Sequence, residues 1–221
     1  MKLFYFDLET TGVKHWVHSI HQISGCIEID GVVKENFDIR MKPHPQAKID
    51  PTALLISGIT EEDFATDRYI PMVDAYNIII KLVSKYVDRY NRAYKFFLIG
   101  YNNQGFDNNF FRAFFLHNRD DYFGSYFWSN SIDVMVLAAQ MLMKDRPKMI
   151  DFKQGTVATY LGIKVDETKL HDAEYDTYIL RQIYAKVTNG TIFTPPVLGK
   201  TYSGDSEDVV LGTLNGMDDL M

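Results

Sequence analysis

Four carboxylates and a histidine carry the chemistry in this chain. Asp7 and Glu9 stand two residues apart at the end of an apolar run, Leu3-Phe4-Tyr5-Phe6, and a Thr10-Thr11-Gly12 turn follows. Side chains on a strand alternate faces, so Asp7 and Glu9 point the same way. Two acids converging at a buried strand end repel each other unless a cation lies between them. The pair therefore suits a hard divalent cation such as Mg²⁺ or Mn²⁺. Taken alone, a D-x-E pair also reads as two solvated strand-end acids.

Asp107 follows the glycine-rich turn Gly100-Tyr101-Asn102-Asn103-Gln104-Gly105-Phe106 and opens a helical pattern. It shares a face with Phe111 and Phe114, at i+4 and i+7. An acid at a helix N-terminus can also be satisfied by backbone N–H groups. Asp176 repeats the pattern, heading a face made of Leu180, Ile183 and Val187. A face that packs on a sheet cannot carry an unpaired carboxylate cheaply. No basic residue stands at i±3 or i±4 to pair it.

His171 precedes Asp176 by five residues, so it falls in the loop before the helix while Asp176 projects from its second turn. Such a histidine can take a proton from water at a metal centre, or simply be a solvated loop residue. Together the four acids and the histidine fit a two-metal centre that activates water and stabilises a leaving 3′ oxygen. The corresponding reaction is phosphodiester hydrolysis.

Three strands must come first to position Asp7 and Glu9. After the opening strand, Gln22–Ile29 alternates apolar and polar residues as a half-exposed strand does. Asp30-Gly31 is a hairpin-turn signal, and Val33, Phe37, Ile39 and Met41 share one face of a third strand. Residues 2–42 therefore form an antiparallel meander. Asp50-Pro51 starts a short helix that Gly58 ends, and Thr60 caps another turn. From about Pro71, Met72, Tyr76, Ile79, Ile80, Val83, Val87 and Tyr90 recur at helical spacing.

Phe96–Gly100 is a buried strand, Asp107–Leu116 a helix, and Ser131–Val134 a short strand that runs into a helix through Met143. Further helices span about Gln154–Leu161 and Asp172–Val187. The expected fold is α/β: a mixed five-stranded sheet with helices on both faces.

Asp7 through Gly12, Asn103 with Phe106-Asp107, and His171-Asp172-Ala173 through Asp176 resemble the three motifs of the DEDDh 3′–5′ exonucleases. The resemblance spans roughly residues 2–188, with the motifs in order, and implies a ribonuclease H-like fold. It implies that Asp7, Glu9, Asp107 and Asp176 hold two Mg²⁺ ions, with Mn²⁺ able to substitute, and that His171 is the general base. Residues 51–60 resemble the family's segment that lies against the terminal nucleotide. Thr10, Ile56, Asn103 and Phe106 are the expected substrate contacts. Within the family the motifs are most similar to the exonuclease I branch, with the polymerase III epsilon proofreading branch second. Ser57 and Asn102 stand where many relatives have His.

The composition sets limits on the partner. A net charge of −6 argues against coating nucleic acid by bulk electrostatics, but not against gripping one strand end through bound cations. The expected partner is the 3′ end of single-stranded DNA. Lys144, Arg146 and Lys148 lie in a loop that either touches phosphates or is simply solvated. A 3′–5′ exoribonuclease, or a catalytically silent binding module of a replication complex, are the competing readings. With no apolar run near ~20 residues, no signal-peptide pattern and a single cysteine, Cys26, the expected location is cytoplasmic, without membrane contact.

Cys26 reads as core, and His15, His18, His21, His44 and His117 as surface or loop residues. Residues 1–190 form the expected exonuclease domain. Residues 191–221 form an acidic tail, with Asp205, Glu207, Asp208, Asp218 and Asp219 among sparse hydrophobics. That tail is either solubilising or a docking peptide for a polymerase, clamp or other replication protein.

Overall fold

The computed structural model describes residues 1–169 and 173–188. Five strands form one mixed sheet: β1 (Lys2–Thr10), β2 (Ile20–Ile29), β3 (Val32–Arg40), β4 (Phe97–Gly100) and β5 (Ile132–Asp133). Their spatial order is β3-β2-β1-β4-β5. The first three are antiparallel, while β4 runs parallel to β1 and β5 parallel to β4. The expected five-stranded α/β sheet, with its antiparallel meander, is the observed one.

Seven α-helices surround it among the described residues: α1 (Pro51–Ile56), α2 (Met72–Ser84), α3 (Asp107–His117), α4 (Phe123–Tyr126), α5 (Val134–Met141), α6 (Gln154–Tyr160) and α7 (Ala173–Val187). Alternation along β1 divides the core in two. Phe4, Phe6 and Leu8 face a cluster with α2 and α3, where Phe111 stacks on Phe4, Phe115 meets Phe127, and Phe114 packs on Phe111 and Phe115. Leu3 and Tyr5 face the other side, under Val134, Val157, Leu180 and Ile183 of α5, α6 and α7. Helices thus cover both faces, and Cys26 is buried in the second cluster.

Three local expectations change. β2 is buried along almost its whole length, because helices cover both faces of an inner strand. Three of its polar residues are satisfied internally: Gln22 and Ser24 both donate to Asp38, and Glu28 pairs with Arg181 of α7. His21 is likewise a core residue, 1% exposed, and not a surface histidine. Val33 does not share the face of Phe37, Ile39 and Met41. A register shift skips Lys34, pairing Ile27 with Glu35 but Glu28 with Val33, and turns Val33 toward the α7 side. Finally, α2 stops at Ser84, which leaves Val87 buried in the following turn and Tyr90 85% exposed, off the helical stripe. No helix among the described residues is long and apolar enough to cross a membrane.

Candidate active site

Asp7 and Glu9 continue the Leu3–Tyr5 face of β1 and lie toward its carboxyl end, where β2 still pairs with the strand but β4 no longer does. β4 lies beside β1 and ends at Gly100, so the chain must turn there to enter α3. That turn is tight. A Cβ on Gly100 would lie 2.5 Å from Cβ of Asn103. Asn102 takes a positive φ of 58°, which asparagine tolerates better than most residues, and its N–H donates to Asp133 Oδ1 at 2.9 Å. The turn delivers Asp107 to the first position of α3, beside β1. From the opposite side, α7 packs on the Tyr5 face through Tyr184, Leu180 and Thr177, and its first turns carry Asp176 over the strand end.

Asp7, Glu9, Asp107 and Asp176 therefore line one open cleft of about 1000 Å³. They act on one another electrostatically. Burial pushes the Asp7 carboxyl well above the usual carboxylate range, and the charges of Asp107, Asp176 and Glu9 push it further. Burial also raises Asp107, with Glu9 and Asp133 adding to the rise, while backbone N–H groups of Asp107 and Leu8 partly offset it. Four hard oxygen-donor groups whose ionised forms destabilise one another suit divalent cations bound through carboxylates. Among the described residues, no three His, Cys, Asp or Glu side chains are already drawn into a metal cage.

Glu9 has a neighbour of note. Ser57 Oγ donates to Glu9 Oε2 at 2.6 Å. Ser57 caps α1, whose N-terminus Asp50 closes by accepting from Thr52 N–H. The next residue, Gly58, takes a φ of +67° that favours glycine and turns the chain away. Leu55 and Ile56 are left as exposed apolar side chains at the end of α1.

The expected substrate residues are placed differently from one another. Phe106 lines the cleft, its ring 4.9 Å from that of Phe110. Ile56 is exposed outside the cleft lining, one residue from the Ser57–Glu9 contact. Thr10 is buried, its hydroxyl donating to the Gly12 carbonyl at 2.9 Å. Asn103 is fully buried, its amide donating to Asn108 Oδ1 at 3.3 Å. His171 and the tail at 191–221 lie outside the described residues.

Lys148, Ile150, Lys153, Gln154 and Tyr160 line another part of the wall, and Gln154 donates to the Asp176 carbonyl at 2.6 Å. Lys148 is also paired with Asp145 at 2.9 Å, and Arg146 stacks over Phe152. Ile150 is 95% exposed, and of this wall sequence reasoning singled out only Lys148. An apolar residue in a polar, basic loop was the signal available for the rest.

The exonuclease family RNase_T matches residues 4–184. A DNA polymerase III of PolC type from Mycoplasmopsis pulmonis (strain UAB CTIP) is 24% identical over 179 residues, 81% of this chain and 11% of that protein. Among solved structures, E. coli exonuclease I in complex with a dT13 oligonucleotide superposes with a TM-score of 0.64 at 22% identity, covering 84% of this chain and 41% of that one. The zinc-bound form of the E. coli exonuclease I–single-stranded DNA complex gives a TM-score of 0.65 at 25% identity, covering 85% and 40%. The chain thus spans about a tenth of the polymerase and about two fifths of exonuclease I. It shares the ribonuclease H-like fold of the latter.

Proposed function

The chain belongs to the exonuclease family of hydrolytic nucleases, and on that premise we propose that it is a two-metal-dependent 3′–5′ exonuclease releasing nucleoside monophosphates from single-stranded DNA. The observation that carries this reading is the convergence of Asp7, Glu9, Asp107 and Asp176 on one open cleft. Those four residues would hold two Mg²⁺ ions, for which Mn²⁺ is a reasonable substitute. When bound, the ions would supply an activated water and charge compensation for the leaving 3′ oxygen.

The remaining steps fall to the chain's own residues. Ser57 fixes one oxygen of Glu9 through a hydrogen bond at 2.6 Å, and so orients the carboxylate. Phe106 and the exposed Ile56 offer apolar surface to the terminal nucleoside, where a base can stack regardless of sequence. Thr10 orders the turn after β1 through the Gly12 carbonyl, and Asn103 fixes the turn that sets Asp107. Lys148 and Lys153 in the cleft lining offset the phosphate charge. By motif match, His171 accepts the proton of the attacking water at a ring nitrogen. The similarity to a PolC-type polymerase supports a role in DNA replication or repair, with the 191–221 tail as the segment that would meet a partner.

The test is a time course on 3′- and 5′-labelled single-stranded and duplex DNA, with matched RNA, in Mg²⁺ and in chelator. Stepwise loss of the 3′ label as mononucleotides, abolished by chelator, is the expected result. Faster digestion of the RNA would reassign the substrate, and loss from the 5′ end would overturn the polarity.

A further inference from the structure

Three cations and five aromatic rings meet at the end of the sheet opposite the acidic cleft. Lys2 Nζ sits 3.3 Å from the centroid of the Tyr94 ring and bonds the Tyr86 carbonyl. Arg89 lies 5.0 Å from the Tyr122 ring, 5.7 Å from Tyr90 and 5.9 Å from Tyr126. Lys95 lies 5.3 Å from Trp128 and bonds the carbonyl of Gly124, midway between Tyr122 and Tyr126. That last bond joins the Arg89 group to the Trp128 group. Lys2 and Lys95 lie at the paired starts of β1 and β4.

Most of these rings are not core. Tyr90, Tyr122 and Tyr94 are 85%, 61% and 54% exposed. A tyrosine with a cation on one face keeps the other face for a second flat partner. Bases supply such partners at regular intervals, and the phosphates between them meet Arg89 and Lys95, while Lys2, 6% exposed, backs the Tyr94 ring. An acidic peptide would use the cations but leave the ring faces in water. The clustering is local in a chain of net charge −6, and the acids that border it are Asp88, Asp121, Asp30 beside Lys2, and Asp120, which accepts from the Tyr76 hydroxyl.

We propose that this end of the sheet is a second contact surface for single-stranded nucleic acid, which holds the body of the strand while its end occupies the cleft. Lys2 and Asp7 are five residues apart on β1, about 17 Å at ~3.3 Å per residue, so this surface is distinct from the cleft. The proposal rests on the reading that the chain acts on a nucleic-acid strand. It adds that affinity depends on strand length.

The test compares Asp7→Asn protein, in which turnover is silenced, with the same protein carrying Tyr90→Ala, Tyr94→Ala and Lys95→Gln. Fluorescence anisotropy reads binding of a single-stranded DNA of about 30 nucleotides across a salt series. The triple variant is expected to bind it about tenfold or more weakly, with a shallower salt dependence. In the active background, digestion of a dinucleotide should be unchanged, which shows that the fold and cleft are intact. Equal affinity of the two proteins for the long strand would overturn the proposal. An exposed-residue pair, Tyr90→Ala with Tyr122→Ala, serves if the triple variant folds poorly. Failure to degrade any 3′ end would overturn the exonuclease reading, while the difference in affinity could still be read.

Discussion

Ser57, at the end of α1, donates its hydroxyl to Glu9 on β1 across 48 residues of sequence, at 2.6 Å. This bond couples the segment that presents Ile56 to one of the four carboxylates. Hydrogen bonds to charged groups are worth about 1.5–3 kcal/mol, and residues that orient metal ligands typically matter about 10–100-fold in metal affinity. Ser57→Ala should weaken Mn²⁺ binding, measured by calorimetric titration, and lower kcat/KM by about tenfold. Ser57→Thr should restore both. A Ser57→Ala protein with unchanged Mn²⁺ affinity would leave the bond as packing alone.

The acidic cluster should lower the stability of the cation-free protein. The carboxyl of Asp7 is raised in the folded state, by burial first and then by Asp107, Asp176 and Glu9. The native state therefore holds a proton that the unfolded state has already released, so stability falls as pH rises from the ordinary carboxylate range through the folded value. Without divalent cations, Asp7→Asn should melt a few degrees higher than the wild type at pH 8. The gap should close below about pH 4, where the unfolded carboxyl is also protonated. Mg²⁺ should raise the melting temperature of the wild type more than that of the variant.

His21 acts in the opposite direction. Burial, and secondarily the charge of Arg40, lower its imidazole from 6.5 to about 4. Neither ring nitrogen has a hydrogen-bond partner among the described residues. The unfolded chain binds the proton first on acidification, so this contribution is complete above the ordinary histidine value and is lost as pH falls toward about 4. The span corresponds to roughly 3 kcal/mol. Denaturant melts between pH 7 and pH 4 should show a shallower loss in His21→Phe than in the wild type, since Phe keeps the ring contact with Phe64.

Arg181 of α7 and Glu28 of β2 form a buried pair at 3.0 Å, their side chains 3% and 5% exposed. Breaking a buried pair from one side leaves an uncompensated charge and costs about 3–5 kcal/mol. Glu28→Leu and Arg181→Met should each destabilise by that order in urea melts. The double variant Glu28→Leu with Arg181→Met should recover most of the loss. Additive single effects would show that the two residues act independently.

Much of the site was legible before any fold was known. Asp7 and Glu9 share a face because strand geometry allows nothing else, and Asp107 and Asp176 stand out as acids heading apolar helical faces. Gly100 and the asparagines after it announced a sharp turn into α3. The register slip at Lys34 was not legible, since alternation by itself gives Val33 the face of Phe37. Nor was the burial of His21. A polar residue on a strand looks solvent-facing until both faces of the sheet are known to be covered.

The sequence by itself determined which residues bear charge, which faces of each element are apolar, and the order in which the elements follow, because those depend on local periodicity. The tertiary structure decided what meets. It brought Asp176 over the end of β1, Ser57 against Glu9, Lys148 and Lys153 into the cleft lining, and Arg89 and Lys95 onto rings more than 25 residues away. Those contacts join segments far apart in the chain. They exist only once parallel strands β1 and β4 lie side by side and helices close over both faces, which no local pattern encodes.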